Sequence, residues 1–590
     1  MPFGAQYADG AARFRLWAPA RERVDLLLGD EPARAIPMAP RGDGWHDAAV
    51  AAATPGMAYA FRVDHRDPVP DPASRANPRD AKGPSSLVDP RAFDWSDDDW
   101  RGRPWREAVV YELHIGTFTD GGTFRAAVDR LDHLAELGIT AIEIMPVADF
   151  VGARNWGYDG VLPFAPDASY GTPEDFKRFV VEAHARGLMI LLDVVYNHFG
   201  PEGNALARYA PQFFNARHKT PWGAAINFDG PDARTVRDFF VHNALYWIEE
   251  FHLDGLRLDA VHAIADDSPK HIATEIAEAI AAGPGRDRHV HLVLENDRNA
   301  ARLLDPALGA HATAQWDDDW HHAVHVLLTG EATGYLADYA PHAERHFARA
   351  LAEGFAYQGE RSGYRGGPRG EPSRHLPAET FIAFLQNHDQ VGNRALGERL
   401  AALTDPQALR LAAAILLLAP CVPLLFMGEE FDAATPFLYF CDFSGGLARA
   451  VRDGRRKEFA DVALAAEVPD PNARETFTRS KLRWESLAER AHADALARHR
   501  ALIALRREYL APRFAAGPLT AHFSTHGPGA IAVDWTLGDG SRLHLRANLS
   551  RRPAAPMPAA AGALLHAEGD CPLHGELPAW GGTWSLEGAG

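Results

Sequence analysis

Strand-like apolar runs alternate with helical stretches from about residue 105 to about residue 430, and no other feature of the chain restricts its fold as strongly. The run 188–195 is almost continuously apolar, as the buried strands of parallel sheets are. With a weak strand at 312–316, eight such units follow one another. This repeated alternation predicts an α/β fold, a (β/α)8 TIM barrel, with the active site at the carboxyl ends of its strands.

The individual elements are predicted from the same patterns. The predicted strands are 109–115, 141–145, 188–195, 254–259, 291–294, 312–316, 381–385 and 424–427. The clearest helices are 123–137, 173–185, 234–251 and 274–282. Two long segments without periodicity, 200–232 and 358–377, interrupt the alternation. Long irregular loops at the carboxyl face of a barrel usually bind substrate.

The sequence before and after the predicted barrel has a different residue pattern. Apolar and polar residues alternate at 12–19 and 23–28, with turn-rich breaks between the runs, which favours a β-sandwich. Short alternating segments return at 530–535 and 543–549 and indicate a small β domain. We therefore predict three domains: an N-terminal β-sandwich (1–90), a barrel with loop insertions (91–512) and a C-terminal β domain (513–590).

Charge and cysteine content exclude several classes of protein. The formal net charge is -19, which argues against nucleic acids and anionic membranes as partners and fits a neutral substrate. Three cysteines without C-x-x-C spacing indicate neither a disulfide framework nor zinc. The longest apolar run, 411–427, is broken by Pro420 and Pro423, and the first residues do not form a secretory signal. We expect a cytoplasmic monomer or homodimer that does not enter a membrane.

Polar residues end several of the predicted strands. Arg257 and Asp259 close the strand at 254–259, on the face opposite the apolar side chains. Asp193, Glu295 and Asp389 close three others. Each alone could be a structural ion pair or a helix cap. A ring of carboxylates at one end of a barrel repels itself, however, and costs folding energy unless function requires it.

Glycoside cleavage uses such a set of carboxyls without a metal or a cofactor. One carboxylate attacks the anomeric carbon, and a second carboxyl protonates the leaving oxygen. Arg257 would keep Asp259 ionised for the attack, and burial among carboxylates would keep Glu295 protonated. Asp389 would bind sugar hydroxyls that gain polarity in the transition state.

Several motifs carry a resemblance to the α-amylase superfamily of retaining glycoside hydrolases and transglycosidases. They are Asp193-Val194-Val195-Tyr196-Asn197-His198, Gly255-Leu256-Arg257-Leu258-Asp259, Glu295, Asn387-His388-Asp389, and Asn155-Trp156-Gly157-Tyr158-Asp159. The resemblance implies that Asp259 is the nucleophile, Glu295 the general acid/base and Asp389 the transition-state stabiliser. It also implies that the reacting glucose is bound by Tyr158, which would stack on it, and by His198, Arg257 and His388. His262, just beyond the same strand, is a further predicted substrate-binding residue. The first 90 residues resemble the carbohydrate-binding-module-like sandwich of branching and debranching members.

Residues after Glu295 and around Asp389 resemble the trehalose-releasing members of the superfamily. The resemblance implies hydrolysis of the α-1,4 bond next to the terminal trehalose of malto-oligosyltrehalose and related α-1,4-glucans. Asp297 and Arg298, with Asn299, are predicted to bind the trehalose leaving group. The alternative is a 1,4-alpha-glucan branching enzyme, a transglycosylase. A non-catalytic glucan-binding protein on the same fold would be expected to lack one of the three carboxyls, and none is missing.

No metal and no cofactor are predicted. His321 and His325 lie one helical turn apart after Asp317-Asp318-Asp319, which could form a divalent metal site, but an acidic helix N-terminus is the favoured interpretation. Asn197 occupies a position that ligates calcium in some amylases, without a visible set of partner ligands.

Overall fold

The computed structural model describes residues 2–30, 33–51, 53–459, 467–514, 520–571 and 575–588. Its N-terminal part is a sandwich of two four-stranded antiparallel sheets. In spatial order, one sheet contains Gln6–Ala8, Ala11–Trp17, Trp45–Val50 and Ala39–Pro40, and the other Arg34–Pro37, Val24–Leu28, Ala58–Val63 and Ser85–Ser86. Burial explains the alternation of apolar and polar residues in these strands, because Phe14, Leu16 and Leu26 are fully buried between the sheets.

Eight parallel strands then close into a barrel, which confirms the predicted fold class. The strands are β1 (Val110–Leu113), β2 (Ala141–Ile144), β3 (Met189–Val194), β4 (Gly255–Leu258), β5 (His291–Leu294), β6 (Ala314–Trp316), β7 (Phe381–Phe384) and β8 (Val422–Phe426). Each pairs with the next, and β8 pairs with β1. The weakly predicted sixth strand is present, at the end of the predicted range.

Helices surround this barrel. Their bounds are Ile115–Phe118, Phe124–Val128, Leu131–Leu137, Pro173–His184, Ala233–Glu250, Ile272–Ala282, Asp318–Thr329, Ala343–Glu353, His388–Gly392, Leu400–Leu403, Pro406–Leu418, Gly445–Glu458, Arg474–Arg479 and Arg490–Leu505. The helix predicted at 123–137 is two helices that meet at Asp129 and Arg130. Among the described residues, no helix is both long and apolar enough to span a bilayer.

Short hairpins and a C-terminal sheet complete the structure. The irregular segment 200–232 contains the hairpin Phe214–Thr220 with Gly223–Ile226, and the segment 358–377 contains Arg361–Ser362 with Gly367–Pro368. Ala148–Asp149 pairs with Leu162–Pro166. The C-terminal sheet is antiparallel, in the order Thr520–Thr525, Ala530–Thr536, Arg542–Asn548, Gly581–Glu587 and Ala563–Glu568. Antiparallel β sheets thus precede and follow the barrel in the sequence.

The barrel interior is apolar at its lower level and charged above it. Val110 on β1, Ala141 on β2 and Leu191 on β3 belong to one buried cluster inside the strands. Because alternate residues of a strand share a face, Glu112 and Glu143 also point inward, one level above Val110 and Ala141. The charged level therefore begins within β1 and β2, before the strands end.

A buried ionic network closes the opposite, amino-terminal face. The His184 ring lies between two carboxylates, with Nδ1 2.7 Å from Asp97 and Nε2 3.0 Å from Asp254. Asp254 also accepts hydrogen bonds from the Trp100 indole at 2.7 Å and from the Ile190 amide at 2.9 Å. Burial disfavours the His184 charge, but the two carboxylates outweigh it and raise the pKa of His184. The network ties the segment before the barrel to β3 and β4.

Replacing His184 with glutamine is expected to destabilise the protein by about 3 kcal/mol, because it removes the cation between two buried carboxylates and leaves Asp97 with His252 at 3.0 Å and Asp254 with Arg288 at 3.9 Å. The pKa of His184 is higher in the folded protein than the ordinary 6.5. Its contribution is therefore complete below pH 6.5 and is lost as the pH rises through the folded-state pKa. Thermal unfolding midpoints of wild type and H184Q should converge as the solution becomes alkaline. A constant gap at every pH would contradict the charged network.

Candidate active site

Arg257 is the centre of the site at the carboxyl ends of the strands. Its side chain is completely buried, and it donates hydrogen bonds to Asp193 at 2.7 Å, to Asp259 at 2.8 Å and to Glu295 at 2.9 Å. Its guanidinium lies 4.1 Å from the centre of the Trp316 ring. One cation on β4 thus holds three carboxyls, from the ends of β3, β4 and β5, in a fixed arrangement.

Asp259 has the environment of a carboxylate that stays ionised. Asn197 donates to one of its oxygens at 2.8 Å and Arg257 to the other at 2.8 Å. Burial opposes the negative charge, but Arg257 and the hydrogen bond from Asn197 outweigh it and hold the pKa of Asp259 below its ordinary value. The side chain remains 14% exposed, so a ligand can reach it.

Glu295 has the opposite electrostatic environment. Burial raises its pKa well above the ordinary value, Arg257 opposes this, and the charges of Asp259 and Asp389 reinforce it. One oxygen accepts from the Ala260 amide at 2.8 Å, and Ala260 has a left-handed backbone with φ of 42°. The pKa values of Asp259 and Glu295 are therefore pushed apart, which suits one carboxyl to attack and the other to donate a proton.

Tyr158, Asp193 and His388 form the floor of the site. The Tyr158 hydroxyl donates to Asp193 at 2.6 Å and lies 2.9 Å from Nε2 of His388. The Tyr158 and His388 rings are stacked, with 5.2 Å between their centres. Gly157 makes this turn possible, since a Cβ on it would lie 1.9 Å from the carbonyl oxygen of Pro146.

His388 and Asp389 begin a short helix after β7. The His388 amide and its Nδ1 both bond to the Glu112 carboxylate, and Nε2 lies 3.5 Å from Asp389. Burial opposes the charge on His388, but Asp389 and Glu112 raise its pKa to about 9. Asp389 is 39% exposed, and Asn393 donates to it at 3.2 Å. At neutral pH His388 is thus an imidazolium beside a carboxylate that is open to the cleft.

A hairpin from the segment 200–232 lies beside the site. Trp222, between its two strands, is 47% exposed and stacks on His198 with 5.5 Å between ring centres. Nδ1 of His198 bonds to Asn197, which in turn holds Asp259. An exposed aromatic face next to hydrogen-bonding groups is suited to packing against a sugar ring.

The residues after Glu295 have different environments. Asp297 is partly buried, bonds to Arg365 at 2.6 Å and has one oxygen 3.7 Å from Nδ1 of His262. Burial lowers the pKa of His262, Asp297 and Asp259 oppose this, and the charge of the exposed Arg298 reinforces it. Asn299 is 1% exposed and donates to Asp319 at 2.8 Å. The structure therefore does not bring Asn299 into the cleft, because its side chain anchors the loop from below.

Some residues of the site were not predicted from the sequence. The sequence interpretation considered the residues that end each strand and omitted Glu112 and Glu143, which lie within β1 and β2. Their signal was present, as each is the one charged residue in an otherwise uncharged strand. Trp316, under Arg257, and Trp222 gave no local signal that separates them from ordinary core or loop tryptophans.

The described residues contain one cluster with the spacing of a metal site, formed by His218, Asp229 and Asp267. Asp229 already pairs with Arg217 at 3.1 Å and with His218 at 2.8 Å. His321 and His325 lie on the acidic helix Asp318–Thr329, where His325 bonds to Glu331. Asp229, His218 and His325 thus already have protein partners.

The alpha-amylase catalytic-domain family matches residues 87–244. Carbohydrate-binding module 48 (isoamylase N-terminal domain) matches residues 2–88, and a domain of unknown function, DUF3459, matches residues 518–584. Together with the closed barrel, these matches define a glycoside hydrolase of the alpha-amylase class.

Two relatives and one crystal structure are similar over most of the chain. The malto-oligosyltrehalose trehalohydrolase of Saccharolobus solfataricus is 42% identical over 513 residues, covering 86% of this chain and 87% of that protein. The enzyme of the same name from Deinococcus radiodurans is 40% identical over 582 residues, covering 96% and 93%. A Salmonella typhimurium protein assigned as an alpha amylase is 47% identical, with a TM-score of 0.95 and 99% of both chains covered. The chain belongs to the malto-oligosyltrehalose trehalohydrolase family.

Similarity to branching enzymes is much less extensive. The 1,4-alpha-glucan branching enzyme of Corynebacterium jeikeium is 32% identical over 285 residues, which cover 44% of this chain and 39% of that enzyme. The alternative considered from the sequence therefore has the weaker support.

Proposed function

We propose that this protein is a retaining glycoside hydrolase that cleaves the α-1,4 bond next to the terminal trehalose of malto-oligosyltrehalose, releasing trehalose and a malto-oligosaccharide. The observation that carries the chemistry is that Asp259 and Glu295 both bond to Arg257 but differ in pKa. The pKa of Asp259 is lowered, whereas that of Glu295 stays raised. Membership of the trehalohydrolase family supports the substrate.

In the first step, Asp259 attacks the anomeric carbon and the bond to the trehalose oxygen breaks. Glu295 gives its proton to that oxygen, so trehalose leaves as a neutral molecule. Asp259 becomes the ester of a covalent glycosyl-enzyme, and Arg257 keeps its bond to Asp193. His388 and Asp389 hold the hydroxyls of the reacting glucose while positive charge develops on its ring.

In the second step, water attacks the same carbon from the side that trehalose has left. Glu295, now ionised, takes a proton from the water, and the bond to Asp259 breaks. Two displacements retain the α configuration and restore both carboxyls. Tyr158 provides the ring on which the glucose stacks, and Trp222 with His198 extends the aromatic surface.

The leaving group is bound by residues beyond Glu295 in this proposal. Asp297 and Arg298 come shortly after Glu295 in the chain, and His262, which comes shortly after Asp259, has its Nδ1 3.7 Å from Asp297. Because the acid must touch the leaving oxygen, residues on its outer side face trehalose. Arg365, from the hairpin in 358–377, fixes Asp297 for this contact.

Product stoichiometry tests this function. Malto-oligosyltrehalose has no reducing end, so hydrolysis creates one reducing end for each trehalose released, whereas transfer to another sugar creates none. We expect equal amounts of both products, and slow action on maltoheptaose of matched concentration. Trehalose release without reducing ends, or new α-1,6 linkages, would identify a transglycosylase instead. No trehalose at all would refute the proposed substrate.

The pH profile should be a plateau between the two carboxyl titrations. Activity needs Asp259 ionised and Glu295 protonated, so kcat/KM falls in acid as Asp259 takes a proton and in alkali as Glu295 loses one. The charge of Asp318, half-buried after β6, raises the pKa of Glu295. Asp318→Asn should therefore move the alkaline limb to lower pH and leave the acid limb in place. A shift in the opposite direction would contradict the assignment of Glu295 as the acid.

A further inference from the structure

Glu143 is a buried carboxyl inside the barrel that the reaction as described does not use. Its side chain is 1% exposed, on β2, in register with Glu112 of β1 and Leu191 of β3. Within the described part of the chain, its Oε2 is buried without a hydrogen-bond partner. A buried polar atom without a partner costs about 1–3 kcal/mol, so its retention in a barrel core requires a reason.

The charges that face Glu143 come from four elements. Glu112 on β1 and Asp193 on β3 are carboxyls, while Arg257 on β4 and His388 after β7 are cations. Among the described residues, neither cation bonds to Glu143, although Nε of Arg257 is buried without a hydrogen-bond partner. Both terminal nitrogens of Arg257 bond to other carboxyls, and His388 bonds to Glu112 and Tyr158. A carboxyl that is buried without a counter-ion neutralises itself by keeping its proton.

An acceptor for that proton lies on the adjacent strand. Asp193 shares the inward face of β3 with Leu191, two residues further toward the site, within the reach of a glutamate side chain from β2. One oxygen of Asp193 accepts from Tyr158 and Arg257. Its other oxygen, Oδ1, is buried, and no described residue donates to it.

We propose that Glu143 is a positioning residue that acts as a neutral acid, donating its O–H to the free oxygen of Asp193. This bond fixes the carboxylate that orients both Tyr158 and Arg257, and through Arg257 it fixes Asp259 and Glu295. A carboxylate at position 143 would instead repel Asp193 and compete for Arg257. Burial raises the pKa of Glu143 well above its ordinary value, Arg257 opposes this and Glu112 reinforces it, which agrees with a protonated side chain.

The test compares three variants in the full-length protein. E143Q keeps the shape and an N–H donor without the ability to ionise, and should retain at least about a third of wild-type kcat, with an alkaline limb no lower than that of wild type. E143L fills the space without a donor and should lose about tenfold or more in kcat. E112Q, at the paired position on β1, is the matched control and should lose far more than E143Q, because Glu112 holds the His388 imidazolium.

The outcomes separate the possibilities. If E143L stayed as active as E143Q, with unchanged pH profiles, the proposal would be overturned, since filling the space would then be sufficient. If E143Q lost as much activity as E143L, the proposal would also be overturned, because the ionised carboxyl would then be the required form. Thermal unfolding midpoints check that each variant folds. The proposal rests on the proposed function. Trehalose release by the wild-type protein tests that function separately. The activity of each variant is expressed as a ratio to that of wild type, on whichever glucan the wild-type protein cleaves.

Discussion

Replacing Asp259 with asparagine is expected to lower kcat for trehalose release by about 10⁴-fold or more. Asparagine has the same shape and can still accept a hydrogen bond from Arg257, but its amide cannot form the glycosyl ester. The chemical step is therefore removed while the site remains folded. Initial rates of trehalose formation, with substrate binding measured separately, give the effect on catalysis.

Two controls make the Asp259 result specific. Asp287→Asn changes an exposed carboxylate in the loop before β5, on the opposite face of the barrel, and should leave the rate unchanged. In Asp259→Ala, azide can occupy the space of the missing carboxylate, and the expected product is a β-glycosyl azide. An Asp259→Asn variant with more than a few per cent of wild-type activity would show that another group is the nucleophile.

Replacing Glu295 with glutamine is expected to lower kcat on malto-oligosyltrehalose by about 10³-fold. The amide preserves the contacts with Arg257 and the Ala260 backbone but has no proton to give to the leaving oxygen. The size of the loss should follow how much the leaving group needs that proton. Fluoride leaves without protonation, so kcat/KM for an α-maltosyl fluoride, which depends only on the steps up to the first displacement, should fall far less than kcat/KM for malto-oligosyltrehalose in the same variant.

The fluoride comparison distinguishes an acid from a structural residue. If Glu295 mainly supported Arg257, both substrates would be slowed equally, and the acid assignment would be wrong. A matched change tests the support role itself: Asp318→Asn, at the start of the helix after β6, alters the electrostatics of Glu295 without changing the group that carries the proton.

The class of fold could be predicted from the sequence because its signals are local. Period-two alternation marks the sandwich strands, and apolar runs such as Met189–Val194 mark strands buried on both faces. Helix signals were also local, as in the capping box of Thr172 with Asp175 at the start of Pro173–His184. The break that divides the predicted helix 123–137 into two had no local signal, because the turn at Asp129 has no proline or glycine to mark it.

The site was predicted in part, and the missing part has a common cause. Asp193, Asp259 and Glu295 lie at the carboxyl ends of strands of one type, so their shared location could be inferred from the sequence. Glu112 and His388 are 276 residues apart in the chain, and they meet because β8 pairs with β1 and closes the barrel. Asn299 was expected beside the leaving group, but its side chain is buried and donates to Asp319.

The sequence by itself determined which residues could do chemistry and that the strands would collect them at one end of a barrel. Strand alternation and residue type are properties of a few neighbouring residues, and they are sufficient for this. The tertiary structure decided the electrostatic environment of each carboxyl. Arg257 contacts three of them. Burial opposes the charge of Asp259, but Arg257 and Asn197 outweigh it and lower the pKa of Asp259, whereas burial outweighs Arg257 and raises the pKa of Glu295. Electrostatic energy depends on distance and on the exclusion of water, and both are fixed only when the barrel closes.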